Sequence, residues 1–287
     1  MPEISRTRDG LDAEGYLETL CALEKIPLAF LPLVDASLAL LQSTFAPRLH
    51  SIYLYGSVAT GLAQPRTSDL DLLVLFRETL SPLQQSELEH VAKSLSASHP
   101  SIVREVGIGA ASLREALAPE SLAGLGCFLK HLCICIAGED IRPLLPKFRP
   151  TLEVARGFNG DYASVVQTML SDLARTDQFE PAQHLMRRIC RKTVRTGFSL
   201  VMPRLGFWTT QLEPSSEYFC RTYPDKRASM TRILDWIQHP PPDKAEFLQT
   251  IAPLADWLAN EFDRVIGRET IPHNVDGRRS LQIGPSQ

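Results

Sequence analysis

The sequence predicts an α/β domain, a sheet flanked by helices, followed by an all-α domain. Three observations carry this. Short segments rich in β-branched, aromatic and apolar residues, at 51–55 (SIYLY), 69–76 (DLDLLVLF) and 102–108 (IVREVGI), occur only in the first half of the chain. Beyond residue 150, apolar residues recur near a 3.6 period with no convincing strand. A proline-containing stretch at 143–150 separates the two regimes. The expected organisation is a sheet domain with N-terminal helices over residues 1–150, a helical domain over 151–266, and a polar, loosely held tail over 267–287.

The elements follow in order. Residues 11–45 carry apolar positions at helical spacing: Leu17, Leu20, Cys21 and Leu23 in a first helix, and Leu38, Leu40 and Leu41 in a second after Pro32. The segment 51–55 reads as a strand running into a turn at Gly56-Ser57, and 69–76 as a strand whose far end is buried. Helical patterns cover 83–97, 112–117 and 122–136, with a third strand at 102–108 and a turn at Gly138-Glu139-Asp140. In the second half, helices are marked by Val165, Met169 and Leu173; by Leu185, Ile189, Val194 and Phe198; by Ile233, Trp236 and Ile237; and by Leu254, Trp257, Leu258 and Phe262. Pro240-Pro241-Pro242 separates the last two.

Composition narrows the class without naming an activity. With 44% hydrophobic and 22% charged residues, the 287-residue chain is globular in type, which excludes disorder, collagen and coiled coil as its main state. The net charge of −3 calls for neither nucleic acid nor membrane. No apolar run of about 18 residues is expected, since the greasiest stretch, 26–41, contains Pro27, Pro32 and Asp35. The opening MPEISRTRDG has no apolar core of a secretory signal. Six cysteines without staple spacing point to a reducing compartment, so a cytoplasmic location is expected.

Chemistry concentrates in residues 53–76, YLYGSVATGLAQPRTSDLDLLVLF. Gly56 lets a ligand approach the backbone, and Ser57 offers a hydroxyl at a helix start suited to phosphate. Gly61 allows a second tight turn. Asp69 and Asp71, at i and i+2 on a strand, project from one face. Two adjacent carboxylates repel, and Mg²⁺ resolves that repulsion by binding a few carboxylates together with substrate phosphates. A phosphate-binding turn beside paired carboxylates is the layout of metal-dependent phosphoryl or nucleotidyl transfer. Glu105, in period 2 between Val103 and Gly107, is the candidate third carboxylate, as metal ligand or general base; the alternative is an ion pair with Arg104 or Arg114.

The ordered set Gly56, Ser57, Ala59, Gly61, Ala63, Ser68, Asp69, Asp71 and Val74 resembles the pattern of the polymerase-beta-type nucleotidyltransferase superfamily, nearest its aminoglycoside (streptomycin/spectinomycin-type) adenylyltransferases and minimal nucleotidyltransferases. The resemblance is strong over about 24 residues and weaker around them. It implies a mixed sheet with flanking helices, two Mg²⁺ ions at Asp69, Asp71 and Glu105, and a nucleoside triphosphate, ATP, held at Gly56, Ser57 and Ser68. It further implies transfer of a nucleoside monophosphate to a hydroxyl with release of pyrophosphate. A small hydroxylated acceptor such as an aminoglycoside is the first expectation. A partner protein (antitoxin-like AMPylation) or a tRNA is the alternative, and a non-catalytic nucleotide-sensing module a further one.

In the helical half, Arg187, Arg188, Arg191, Lys192 and Arg195 form a basic run that is either a solvated face or a clamp for triphosphate or RNA. Lys192 and Arg195, one turn apart, are its candidate phosphate contacts. Asp161, Asp172, Glu213 and Glu217 are either acceptor-binding acids or surface charge, and the aromatics between 207 and 223 either wall a cleft or fill a core.

Overall fold

Residues 49–55 extend because their side chains are buried on both faces and their backbone pairs on both sides; they are the centre of a sheet. The computed structural model describes residues 10–267, and the tail expected from 267 onward lies, but for Gly267, outside the described residues. The strands are β1 (Leu49–Tyr55), β2 (Leu70–Phe76), β3 (Val106–Ser112) and β4 (Cys133–Gly138), in the order β3-β2-β1-β4. β1 runs antiparallel to β2 and β4, and β2 runs parallel to β3, so the sheet is mixed.

The helices α1 (Leu31–Phe45), α2 (Gly56–Thr60), α3 (Pro82–Ser98), α4 (Leu113–Leu117) and α5 (Cys127–Leu132) complete this unit, which spans Leu17–Phe148. Leu70, Leu72, Val74 and Phe76 of β2 join Ile52 and Leu54 of β1 in a core with Leu33, Leu41 and Phe45 of α1 and Leu88, Val91 and Leu95 of α3. By alternation, Asp71, Leu73 and Leu75 belong to the other face. α3 starts on a capping box in which Ser81 and Gln84 satisfy each other's backbone N–H groups.

Three local expectations change. The apolar spacing at 17–23 does not make a helix. Leu17 N–H donates to Phe148 O and Ala22 N–H to Ala59 O, so these groups are spent on tertiary partners, and from Leu17 to α1 only short 3₁₀ turns at Leu23–Lys25 and Leu28–Phe30 form. Residues 133–136, expected as the end of a helix, instead begin β4, paired with β1. The third strand starts at Val106 rather than 102, because residues 99–105 turn: Ile102 and Val103 N–H groups both donate to His99 O.

Among the described residues one 18-residue stretch, Leu28–Phe45, is long and apolar enough by length and composition to cross a membrane, contrary to the sequence expectation. Pro32 does not interrupt it, because a proline in the first turn of a helix costs no hydrogen bond. Its buried positions pack into the sheet core as described.

The second unit comprises residues 10–16 and 149–267. Residues 10–16 therefore join the helices: Gly10 lies against the Trp208 backbone, and the Arg149 guanidinium sits 4.5 Å over the Tyr16 ring. Its helices are α6 (Leu152–Asn159), α7 (Tyr162–Arg175), α8 (Phe179–Leu205), α9 (Leu212–Thr222), α10 (Arg227–Gln238) and α11 (Lys244–Val265). Of the aromatics between 207 and 223, Trp208 and Phe219 are buried in its interior and Phe207, Tyr218 and Tyr223 are half-buried; Phe219 stacks on Tyr223 at 5.1 Å and lies edge-on to Trp257.

Candidate active site

β1 ends at Tyr55, directly opposite Asp71 of β2, and Asp71 is in turn opposite Gly107 of β3. The Asp71 carboxylate is thus framed by two glycines. A Cβ on Gly56 would lie 2.4 Å from Asp71 Oδ2, and one on Gly107 3.3 Å from Oδ1. Gly56 also has φ +74°, a conformation that side chains resist. Glycine at 56 is therefore required twice, by backbone shape and by the carboxylate beside it.

Ser57 follows in the first turn of α2. It is 2% exposed, and its Oγ is buried without a hydrogen-bond partner. A buried hydroxyl left unsatisfied costs about 1–3 kcal/mol. Such a cost in a native fold calls for an explanation, and a ligand oxygen is a direct one. The turn itself is rigid: Ser57 O accepts from Gly61 N–H and Leu62 N–H, and Gly61 at φ +80° caps α2.

Ser68 and Asp69 enter β2 from a loop that folds on itself. Ser68 Oγ accepts from Gln64 N–H at 2.9 Å, so its hydroxyl is engaged in shaping the loop. Ser68 O accepts from Arg104 N–H, and Leu70 N–H donates to Glu105 O. These bonds hold Asp69 against the 104–105 segment. There the Arg104 guanidinium forks onto the carboxylate, Nε to Oδ1 at 3.0 Å and Nη2 to Oδ2 at 2.5 Å. Asp69 and Asp71 are both buried.

Glu105 lies half-buried immediately before β3. Among the described residues no three or more His, Cys, Asp or Glu side chains are gathered as a metal-holding group. Asp69, Asp71 and Glu105 are thus brought to neighbouring strand ends without being assembled as a joint ligand set, Asp69 being taken up by Arg104. The oxygen donors still suit Mg²⁺, which is held by one or two carboxylates plus substrate phosphates rather than by an all-protein cage. The pairing of Arg104 with Asp69, 35 positions away, was not among the expectations; the loop geometry that creates it leaves no local signal.

Lys192 and Arg195 lie on α8, in the helical unit. Lys192 Nζ bonds Asp161 Oδ1 at 2.7 Å and Phe158 O at 3.2 Å. Asp172 pairs with Arg175, and Glu217 with Arg221 and Arg227. Asp161, Asp172 and Glu217 are thus each held by a basic side chain of the helical unit.

Residues 41–117 match the family model described as nucleotidyltransferase domain. No curated protein matches the chain. Among solved structures, spectinomycin adenyltransferase AAD(9) from Enterococcus faecialis, crystallised with ATP and spectinomycin, is similar with a TM-score of 0.52 at 15% identity, over 81% of this chain and 98% of that one. A toxin-antitoxin structure with AMP-PNP is similar at 19% identity with a TM-score of 0.28, over 49% of this chain and 98% of that one.

Proposed function

We propose that this chain, a nucleotidyltransferase by its matched domain and its fold, transfers AMP from ATP to a hydroxyl of a small acceptor, releasing pyrophosphate with the help of Mg²⁺. The observation that carries the reading is the buried, unpartnered Ser57 hydroxyl beside the Gly56–Asp71 contact. It is a hydrogen-bond donor held ready where a phosphate oxygen can take it up.

Asp69 and Asp71 would hold Mg²⁺. Bound there, the ion supplies neutralisation of charge on the α-phosphate and the departing pyrophosphate. Ser57 donates to a triphosphate oxygen, and the rigid α2 turn fixes its direction. Glu105 accepts the proton of the acceptor hydroxyl. The acceptor oxygen bonds to the α-phosphorus, the bond from that phosphorus to the β-bridging oxygen breaks, and pyrophosphate carries away the bonding pair.

Fold likeness supports the choice of acceptor class: the adenyltransferase of similar fold was crystallised with ATP and spectinomycin. The test incubates the protein with Mg²⁺ and each α-labelled nucleoside triphosphate against aminoglycosides and spectinomycin, bulk tRNA, and a cell lysate. Label from ATP on a small molecule, with pyrophosphate released, is the expected result. Label on tRNA or on a protein band would replace the acceptor. Nucleotide binding without transfer to any of them would replace catalysis by a sensing role.

A further inference from the structure

We propose that Arg104 is the resident counter-cation of Asp69, and that it competes with the metal for this carboxylate. The inference rests on the proposed metal-dependent transfer and adds a residue to it. Asp69 is buried, and a buried carboxylate requires a partner. Arg104 supplies it with two charge-assisted bonds, the arrangement in which a guanidinium holds a carboxylate best.

The pair is built into the backbone. Arg104 N–H bonds Ser68 O and Leu70 N–H bonds Glu105 O, so the residues on either side of Asp69 are tied to Arg104 and its neighbour. The guanidinium is the more exposed partner, at 38% against 9% for the Asp69 side chain, so it can leave toward solvent while Asp69 stays. A metal ion that takes Asp69 must displace it. The free protein thereby keeps Asp69 neutralised before substrate arrives, at the expense of its affinity for metal alone.

The experiment uses the full chain, with Mn²⁺ as a spin probe and no nucleotide. Free Mn²⁺ is measured by electron paramagnetic resonance, and melting is followed by circular dichroism. Arg104→Gln is expected to bind Mn²⁺ about tenfold more tightly than wild type, the scale of one charged hydrogen bond. Without metal it should melt lower, and Mn²⁺ should raise its melting point more than that of wild type. Arg104→Lys, which keeps the charge but loses the fork, should fall between and guards against misfolding of the glutamine variant. Adding Asp69→Asn to Arg104→Gln should abolish the gain in affinity. Equal Mn²⁺ affinity in wild type, Arg104→Gln and Arg104→Lys overturns the role of Arg104. If none of these proteins binds Mn²⁺, and none does so when the titration is repeated with ATP added, the metal-dependent function itself falls.

Discussion

At the residue scale, Ser57 and Gly56 make opposite predictions from adjacent positions. Ser57 Oγ is buried with no partner, so the fold gains nothing from it. Ser57→Ala should leave stability unchanged or raise it by up to about 1 kcal/mol, while the KM for ATP rises about tenfold, the loss of one hydrogen bond to a charged group. Urea denaturation and steady-state kinetics on the same preparation check this; loss of stability with an unchanged KM would make Ser57 structural. Gly56 is the reverse. At φ +74°, with Asp71 Oδ2 2.4 Å from where a Cβ would sit, Gly56→Ala should lose about 2 kcal/mol or more, and the shift should reach the Asp71 carboxylate, so activity falls with stability. Both residues could be read from the sequence because turn glycine and adjacent hydroxyl are local signals. Arg104 could not, because its partner lies across a strand pairing that only the folded chain creates.

At the scale of elements, α8 shows how the polar side chains of one long helix hold its neighbours. Tyr162 OH pairs with Thr193 Oγ1 at 3.0 Å, Asn159 Nδ2 donates to Ser199 Oγ at 2.8 Å, and Thr196 Oγ1 donates to Asn159 Oδ1 at 3.1 Å. Together with Lys192 on Asp161 and Phe158 O, these bonds fasten α6 and α7 to α8. Lys192→Met should therefore destabilise the helical unit by about 2 kcal/mol, since it leaves a mostly buried Asp161 without its cation, and should leave the KM for ATP unchanged. A melting curve and ATP titration decide: a raised KM at unchanged stability would make Lys192 a phosphate contact. The same scale explains what the sequence conveyed of the fold. Long amphipathic helices such as α7, α10 and α11 follow the apolar period of their own residues. β4 does not: CICIAG is short and apolar, and such a run reads equally as helix or strand until pairing with β1 settles it. Residues 17–23 failed for a related reason, the Leu17 and Ala22 N–H groups being claimed by Phe148 and Ala59 rather than by their own turn.

At the scale of the whole molecule, the six free cysteines divide between the two units and report on each. Burial pushes the Cys21 thiol up to about 11, against smaller opposing effects from Lys25 and Arg142, and burial likewise raises Cys127, Cys133 and Cys190. A thiol whose value is raised by folding stabilises the fold fully below its unfolded value of about 8.5, and that stabilisation is lost as pH rises toward the folded value. The urea midpoint should therefore hold steady from pH 7 to about 8.5 and fall above it. A midpoint rising through that range would contradict the burial. At pH 8 these thiols are protonated as well as buried, so iodoacetamide reaches them only when the surrounding structure opens. That makes alkylation, followed at each cysteine by mass spectrometry, a test of where the nucleotide is held. If Ser57, Asp69 and Asp71 hold it, saturating Mg²⁺ and ATP stabilise the unit that contains them, by about 2.7 kcal/mol at a hundred times Kd. Cys21, Cys127 and Cys133 should then react up to about a hundredfold more slowly, while Cys190 and Cys220, buried in the helical unit, keep their rates. The half-exposed Cys135 serves as a solvent-side reference. Unchanged rates at Cys21, Cys127 and Cys133 under saturating nucleotide would remove the triphosphate from the sheet unit, and with it the role assigned to the Ser57 hydroxyl.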